Sequence, residues 1–130
     1  MNKLDGYIIE PGKIKGLKQV KHNDGTASLF LVVKKENGIV SNVECAFYSL
    51  DETGFKYRNE CVKYLVGKFV DLDIKKPLTL LKASSLLNSL SVNVIKDGQF
   101  NFAISVGDKY FCASKFYKEY TKNQNDLELN

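Results

Sequence analysis

Tryptophan is absent, and histidine and arginine occur once each, as His22 and Arg58. Without tryptophan, the strongest partner for cations and stacked rings, any stacking role falls to seven tyrosines and eight phenylalanines. His22 sits in the turn-forming run Lys21-His22-Asn23-Asp24-Gly25, where a general base has no evident partner to orient it. No GxSxG, HExxH, GxxxxGK[ST] or GxGxxG run occurs. The closest carboxylate pair, Asp71 and Asp73, reads as solvated acids on an outer strand face. No enzyme is expected, and no catalytic residue, metal ligand or cofactor. The three cysteines, Cys45, Cys61 and Cys112, are odd in number and far apart. That is unlike a disulfide framework or a CxxC pair, so they read as buried thiols of a reducing compartment. No run approaches the ~18 apolar residues of a membrane span. The start, Met1-Asn2-Lys3-Leu4-Asp5-Gly6, reaches an acid and a glycine before any apolar stretch, so no signal peptide and a cytoplasmic location are expected.

What is present is ordinary for a globular protein: 44% hydrophobic and 26% charged residues in 130. One domain over 1–121 with a short, polar, flexible tail at 122–130 is the expected organisation. The net charge of +4 is unevenly placed, since Asp126 and Glu128 put −2 on residues 123–130 and leave +6 on residues 1–122. Of 19 basic residues only Arg58 is arginine. Lysine neutralises phosphate as a point charge, whereas arginine reads base edges in pairs of hydrogen bonds. The balance therefore suits attraction to a nucleic-acid backbone better than sequence reading.

Apolar alternation and turn residues predict a mostly β chain. Leu4 to Lys15 reads as a first strand kinked at Pro11-Gly12, and Gly16 to Thr26 as a loop. Ala27 to Val33 is a strand, and Glu36-Asn37-Gly38 a hairpin turn. The returning strand, Ile39 to Leu50, puts Val43, Cys45 and Phe47 on one face and Glu44, Ala46 and Tyr48 on the other. After a turn at Asp51–Gly54, Cys61, Tyr64 and Leu65 form a helical stripe within Tyr57–Val66, with Gly67 as its stop. Phe69 to Lys75 alternates as a strand. Leu78 to Leu90 fits a helix or an irregular buried stretch. Val92–Ile95 and Phe100–Val106 flank an Asp97-Gly98 turn, and Tyr110–Ala113 suggests a short last strand. Strands with a single helix between the third and the fourth match the five-stranded Greek-key barrel called the OB-fold, whose helix plugs one end. The expected class is thus all-β: an OB-fold barrel with one helix between strands 3 and 4, plus extra C-terminal strands.

Four segments within about residues 2–76 resemble single-stranded DNA-binding proteins of the bacterial and phage OB-fold type. Asn2-Lys3-Leu4-Asp5-Gly6-Tyr7-Ile8 is similar to their opening strand, and Ala27-Ser28-Leu29-Phe30-Leu31-Val32 to their second. Val43-Glu44-Cys45-Ala46-Phe47-Tyr48 sits where the third strand ends in an aromatic. Cys61-Val62-Lys63-Tyr64-Leu65-Val66-Gly67-Lys68-Phe69-Val70 resembles the Tyr-Leu-x-x-Gly join from helix to fourth strand. The tail Asn123–Asn130 lacks the terminal Pro-Phe by which cellular members recruit partners, which fits a phage- or plasmid-encoded member. The resemblance implies binding and protection of single-stranded DNA without strong sequence preference, during replication or recombination. Phe100-Asn101-Phe102-Ala103-Ile104 presents edge strands or apolar faces, so a dimer or tetramer is expected, and the resemblance implies replication or recombination proteins as partners. The alternative is an OB-fold protein–protein adaptor of a replication or primosome complex.

Sequence-indifferent binding of single strands needs a basic groove and exposed aromatic faces. Lys13, Lys15, Lys18 and Lys21 put four cations in nine residues with no acid among them. Lys34 and Lys35 lie near the hairpin tip, and in an OB-fold that hairpin flanks the same groove as the first loop. For stacking, Phe30 opposes the Leu29/Leu31/Val33 face, and Tyr48 points away from the Val43/Cys45/Phe47 face. Phe55-Lys56-Tyr57-Arg58 interleaves aromatics with cations. Core packing is the competing role for Phe30 and Tyr48, and a staple on the following helix for Phe55 and Tyr57. The candidate set is Lys13, Lys15, Lys18, Lys21, Phe30, Lys34, Lys35, Tyr48, Phe55, Tyr57 and Arg58.

Overall fold

A computed structural model describes residues 2–4 and 6–129, with side chains over 6–124. Asp5, in the expected opening strand, and Asn130, at the end of the expected tail, lie outside the described residues. The chain order is β1 (Asn2–Leu4), β2 (Tyr7–Lys21), β3 (Thr26–Lys35), β4 (Val40–Ser49), α1 (Glu52–Val70), α2 (Leu80–Leu87), β5 (Ser91–Asp97), β6 (Phe100–Val106), β7 (Lys109–Phe111) and α3 (Ala113–Leu129). The strands form one antiparallel sheet in the order β4-β3-β2-β5-β6-β7, with β1 folded onto β2. This sheet curls into a half-barrel around a core that includes Ile14, Leu29, Leu31, Val33, Val94 and Ile104.

β2 is the spine of the sheet. Ile8 to Lys13 pairs with β5, while Gly12 to Lys21 pairs with β3. Residues 16–21, expected as loop, are therefore strand. The hairpin instead turns over four residues, where His22 N–H donates to the Thr26 carbonyl (2.8 Å) and Asp24 Oδ1 accepts from Thr26 N–H (3.1 Å). The kink also moves. It is a bulge at Lys15, between Ile14 and Gly16, not at Pro11-Gly12. There α2 meets the strand: Ser84 Oγ accepts from Leu17 N–H (2.9 Å), and Asn88 Nδ2 donates to the Lys15 carbonyl (2.9 Å). Glycine at 16 is needed because a Cβ would sit 3.2 Å from Ser84.

α1 is longer than its apolar stripe suggests. Asp51 Oδ1 caps it by accepting from Gly54 N–H (2.8 Å). The buried series Cys61, Leu65, Phe69 then carries the helix straight through Gly67. Phe69 to Lys75 is consequently not a strand. Phe69 and Val70 end α1, and Asp71 takes the left-handed conformation (φ 60°). Leu72 N–H donates back to the Gly67 carbonyl (3.2 Å), so Gly67 serves this return of the chain and does not stop the helix. The alternation of Val70, Leu72 and Ile74 is real but unused, since burying Phe69 decides the backbone. The fourth long strand is instead β5, reached after α2. The connection from β4 to β5 thus holds two helices, not one.

Both turns carried by Asn37-Gly38 and Asp97-Gly98 form as expected, with Gly38 and Gly98 at positive φ. α3 is the largest departure, because residues 113–129, including the expected tail from 122, are helical. Phe116 and Tyr120 dock it on Tyr57 and Tyr64 of α1, with ring centroids 4.9–5.8 Å apart. Cys45 and Cys61 are buried and Cys112 is half-buried, all as free thiols. Burial pushes the Cys45 thiol up to about 12 and the Cys61 thiol well above its ordinary range, so neither supplies a thiolate at neutral pH.

Candidate nucleic-acid interface

The outward side of β2, β3 and β4 is a lattice of four cross-strand rows. In order along the sheet they are Lys13–Lys34–Val40, Gly16–Val32–Asn42, Lys18–Phe30–Glu44 and Val20–Ser28–Phe47. From Leu29 to Lys34 β3 alternates: Leu29, Leu31 and Val33 are fully buried while Phe30, Val32 and Lys34 face out. Before it Ala27 and Ser28 are both buried, Ser28 beneath His22. Lys34 to Ser28 spans six residues, about 20 Å of strand.

Lys13 and Lys34 are direct cross-strand neighbours, both exposed. Like charges so placed destabilise a sheet, and among the described residues no carboxylate forms an ion pair with Lys13, Lys15, Lys18, Lys21 or Lys34. Beside this pair the bulge projects Lys15. Together with Ser91 and Asn93 these lysines line a groove of about 490 Å³. Lys35 also borders the groove, but its ammonium lies 3.3 Å from Glu10, which Lys96 shares at 3.7 Å. Its charge is largely answered within the protein. Lys21 is exposed at the end of β2 and alternates to the side of Gln19, opposite Lys18.

The aromatic candidates divide sharply. Phe30 lies between Lys18 and Glu44 on the outward face, half-buried among its neighbours. Tyr48, expected to face out, is only 4% exposed. Its hydroxyl donates to Gln19 Oε1, which also accepts from Arg58 Nη1 (3.0 Å). Burial raises the Tyr48 phenol above its ordinary value, so it remains a neutral donor. Tyr57 is core, edge-on to Tyr120, and burial raises its phenol further. Phe55 packs on Tyr48 and under the Arg58 guanidinium, 4.9 Å from its ring centroid. Phe55, Tyr57 and Arg58 belong to α1 and to the Gln19 side of the sheet. They do not join the Phe30 face.

The reason is a second bulge. Leu29 pairs with Ala46, but Phe30 pairs with Glu44, which leaves Cys45 without a partner. From that point the alternation of β4 inverts. Cys45, Ala46 and Tyr48 turn inward, and Phe47 turns out with 55% of its surface exposed. His22 stands 5.9 Å from the Phe47 ring, with Nε2 2.9 Å from Ser28 Oγ. Phe47 and His22 complete the face, and neither was among the sequence candidates. The signal available was slight: two small residues, Cys45-Ala46, that both suit burial.

The assembled surface brings together Lys13, Lys15, Lys18, Lys34 and Phe30, and adds Phe47 and His22. Among the described residues, no group of three His, Cys, Asp or Glu side chains is placed to hold a metal ion. Among the same residues, no helix is long and apolar enough to cross a membrane. Comparisons with protein-family models, curated proteins and solved structures found no match for this chain.

Proposed function

We propose that this chain is an OB-type module that binds and protects single-stranded DNA without strong sequence preference, along the outward face of β2, β3 and β4, during replication or recombination. The observation that carries the reading is the Lys13/Lys34 pair. Two unneutralised lysines face each other across the sheet, with Lys15 beside them, on the same surface as Phe30 and Phe47. An anionic backbone relieves the repulsion, and the two rings offer bases a sequence-tolerant stack. The strand order supports the barrel type. Counted from β2, the five long strands run 3-2-1-4-5, with α1 and α2 in the connection from third to fourth. In such barrels the face of the second and third strands, here β3 and β4, is the usual site for oligonucleotides.

The test is a fluorescence titration of poly-dT, poly-dA and duplex DNA at two salt concentrations. Single strands should bind more tightly than duplex, with affinity falling steeply as salt rises, since each phosphate neutralised contributes about −0.7 to the log–log slope. Lys13→Glu with Lys34→Glu should weaken binding to every single strand alike and flatten that slope by about 1.4. Equal binding of duplex and single strand, or no binding at low salt, sinks the reading and favours the protein–protein adaptor.

A further inference from the structure

β4 and β6 approach each other without backbone pairing, and the start of α3 lies against β4 beside them. The result is a cleft of about 570 Å³ that borders the outward face at Glu44 and Phe47 and reaches in to Cys45, Ala46 and Tyr57. Five aromatic residues line it: Phe47 of β4, Phe100 and Phe102 of β6, Tyr117 of α3 (55% exposed) and the buried Tyr57. Phe102 is 42% exposed, with Tyr7 stacked on one face of its ring. At about 100° per residue, Lys118 and Lys122 continue the i, i+4 row of Ser114, with Lys118 about 100° round α3 from Tyr117. Both lysines are exposed. Glu44 and Asp97 border the cleft itself and repel phosphate from it, which leaves its interior to bases. Charge is thus sorted across the opening, with acids inside and lysines on the α3 rim.

The geometry points to α3 as a second wall of the nucleic-acid path. Resting on the single-strand reading above, the strand leaves the sheet at Phe47 and turns into the cleft. The next bases stack on Tyr117 and Phe102, while their phosphates follow Lys118 and Lys122. The inside-acid, outside-lysine arrangement fits a polynucleotide with bases turned inward. It would not fit an acidic peptide.

Length dependence tests this. Oligo-dT of ~5 nucleotides reaches the sheet face alone, and ~15 nucleotides reaches both surfaces, near the limits of the range such modules cover. Tyr117→Ala with Lys118→Glu should weaken the longer oligomer about tenfold or more, the worth of one stack and one phosphate contact. The shorter oligomer should bind as to wild type. Lys118→Glu by itself, which breaks no contact in the fold, should flatten the salt slope for the longer oligomer only. If both lengths lose equally, or neither loses, α3 is not part of the path. Lys13→Glu with Lys34→Glu separates the two ideas. If that variant loses both lengths while the α3 variant loses neither, only the extension fails. If wild type binds neither length, the sheet-face reading falls and takes the extension with it.

Discussion

Cys45 has no cross-strand partner, and that one unpaired residue decides which of two adjacent aromatics can meet a ligand. Phe47 is exposed, while Tyr48 is held inside by Gln19 and Arg58. Two substitutions separate these roles. Phe47→Ala should leave the unfolding midpoint nearly unchanged and weaken single-strand affinity by about 1–3 kcal/mol, the range of a lost base stack. Tyr48→Phe should do the opposite: about 0.5–1.5 kcal/mol less stable from the lost hydrogen bond, with affinity intact. Thermal melts beside the same titration read both. Simple alternation placed Tyr48 outside and Phe47 inside, and a bulge leaves no mark in composition. Phe30 and Lys34 were legible because β3 carries no bulge between Phe30 and Lys34, so period-two reading holds along that stretch.

At the scale of elements, α1 is where local and long-range signals disagreed. Gly67 reads as a stop, yet the helix runs through it because Phe69 continues the buried stripe one turn further. The start is set by Asp51, whose carboxylate accepts from Gly54 N–H and from Ser49 Oγ. Those bonds hold its pKa below the ordinary carboxylate value, the Gly54 N–H first. The folded-state pKa is lowered, so the stabilisation is present at neutral pH and fades as pH falls through the folded value. Asp51→Ala should therefore lower the unfolding midpoint at pH 7, and the gap to wild type should narrow as pH falls through the lowered pKa of the folded carboxylate. A gap independent of pH would show that the cap's charge contributes nothing.

For the whole molecule, the open question of mechanics is the seam between β4 and β6. Asn101 crosses it, Nδ2 donating to the Asn42 carbonyl (3.0 Å), while its Oδ1 is buried without a partner. Asn101→Ala removes the bridge together with an unsatisfied oxygen, so its two effects on stability oppose each other. Amide hydrogen exchange should then rise at Ser41–Asn42 and Phe100–Phe102 with little change in overall stability. Unchanged exchange there would mean that packing alone holds β4 and β6 together.

What the residue order determined by itself was local. The two glycine hairpins, the buried row of β3 and the concentration of lysine over residues 13–35 follow from neighbours in the chain, through turn chemistry and side-chain alternation. The excess of 18 lysines over a single arginine was legible there as well. The tertiary structure decided the rest. Both bulges arise where a strand must satisfy a partner far away in sequence: α2 against Lys15 and Gly16, and β3 against Cys45. They choose which rings face out. Lys13 and Lys34 face each other because of a pairing register across 21 residues, and α3 reaches the edge of that face because Tyr57 and Tyr64 give it somewhere to dock.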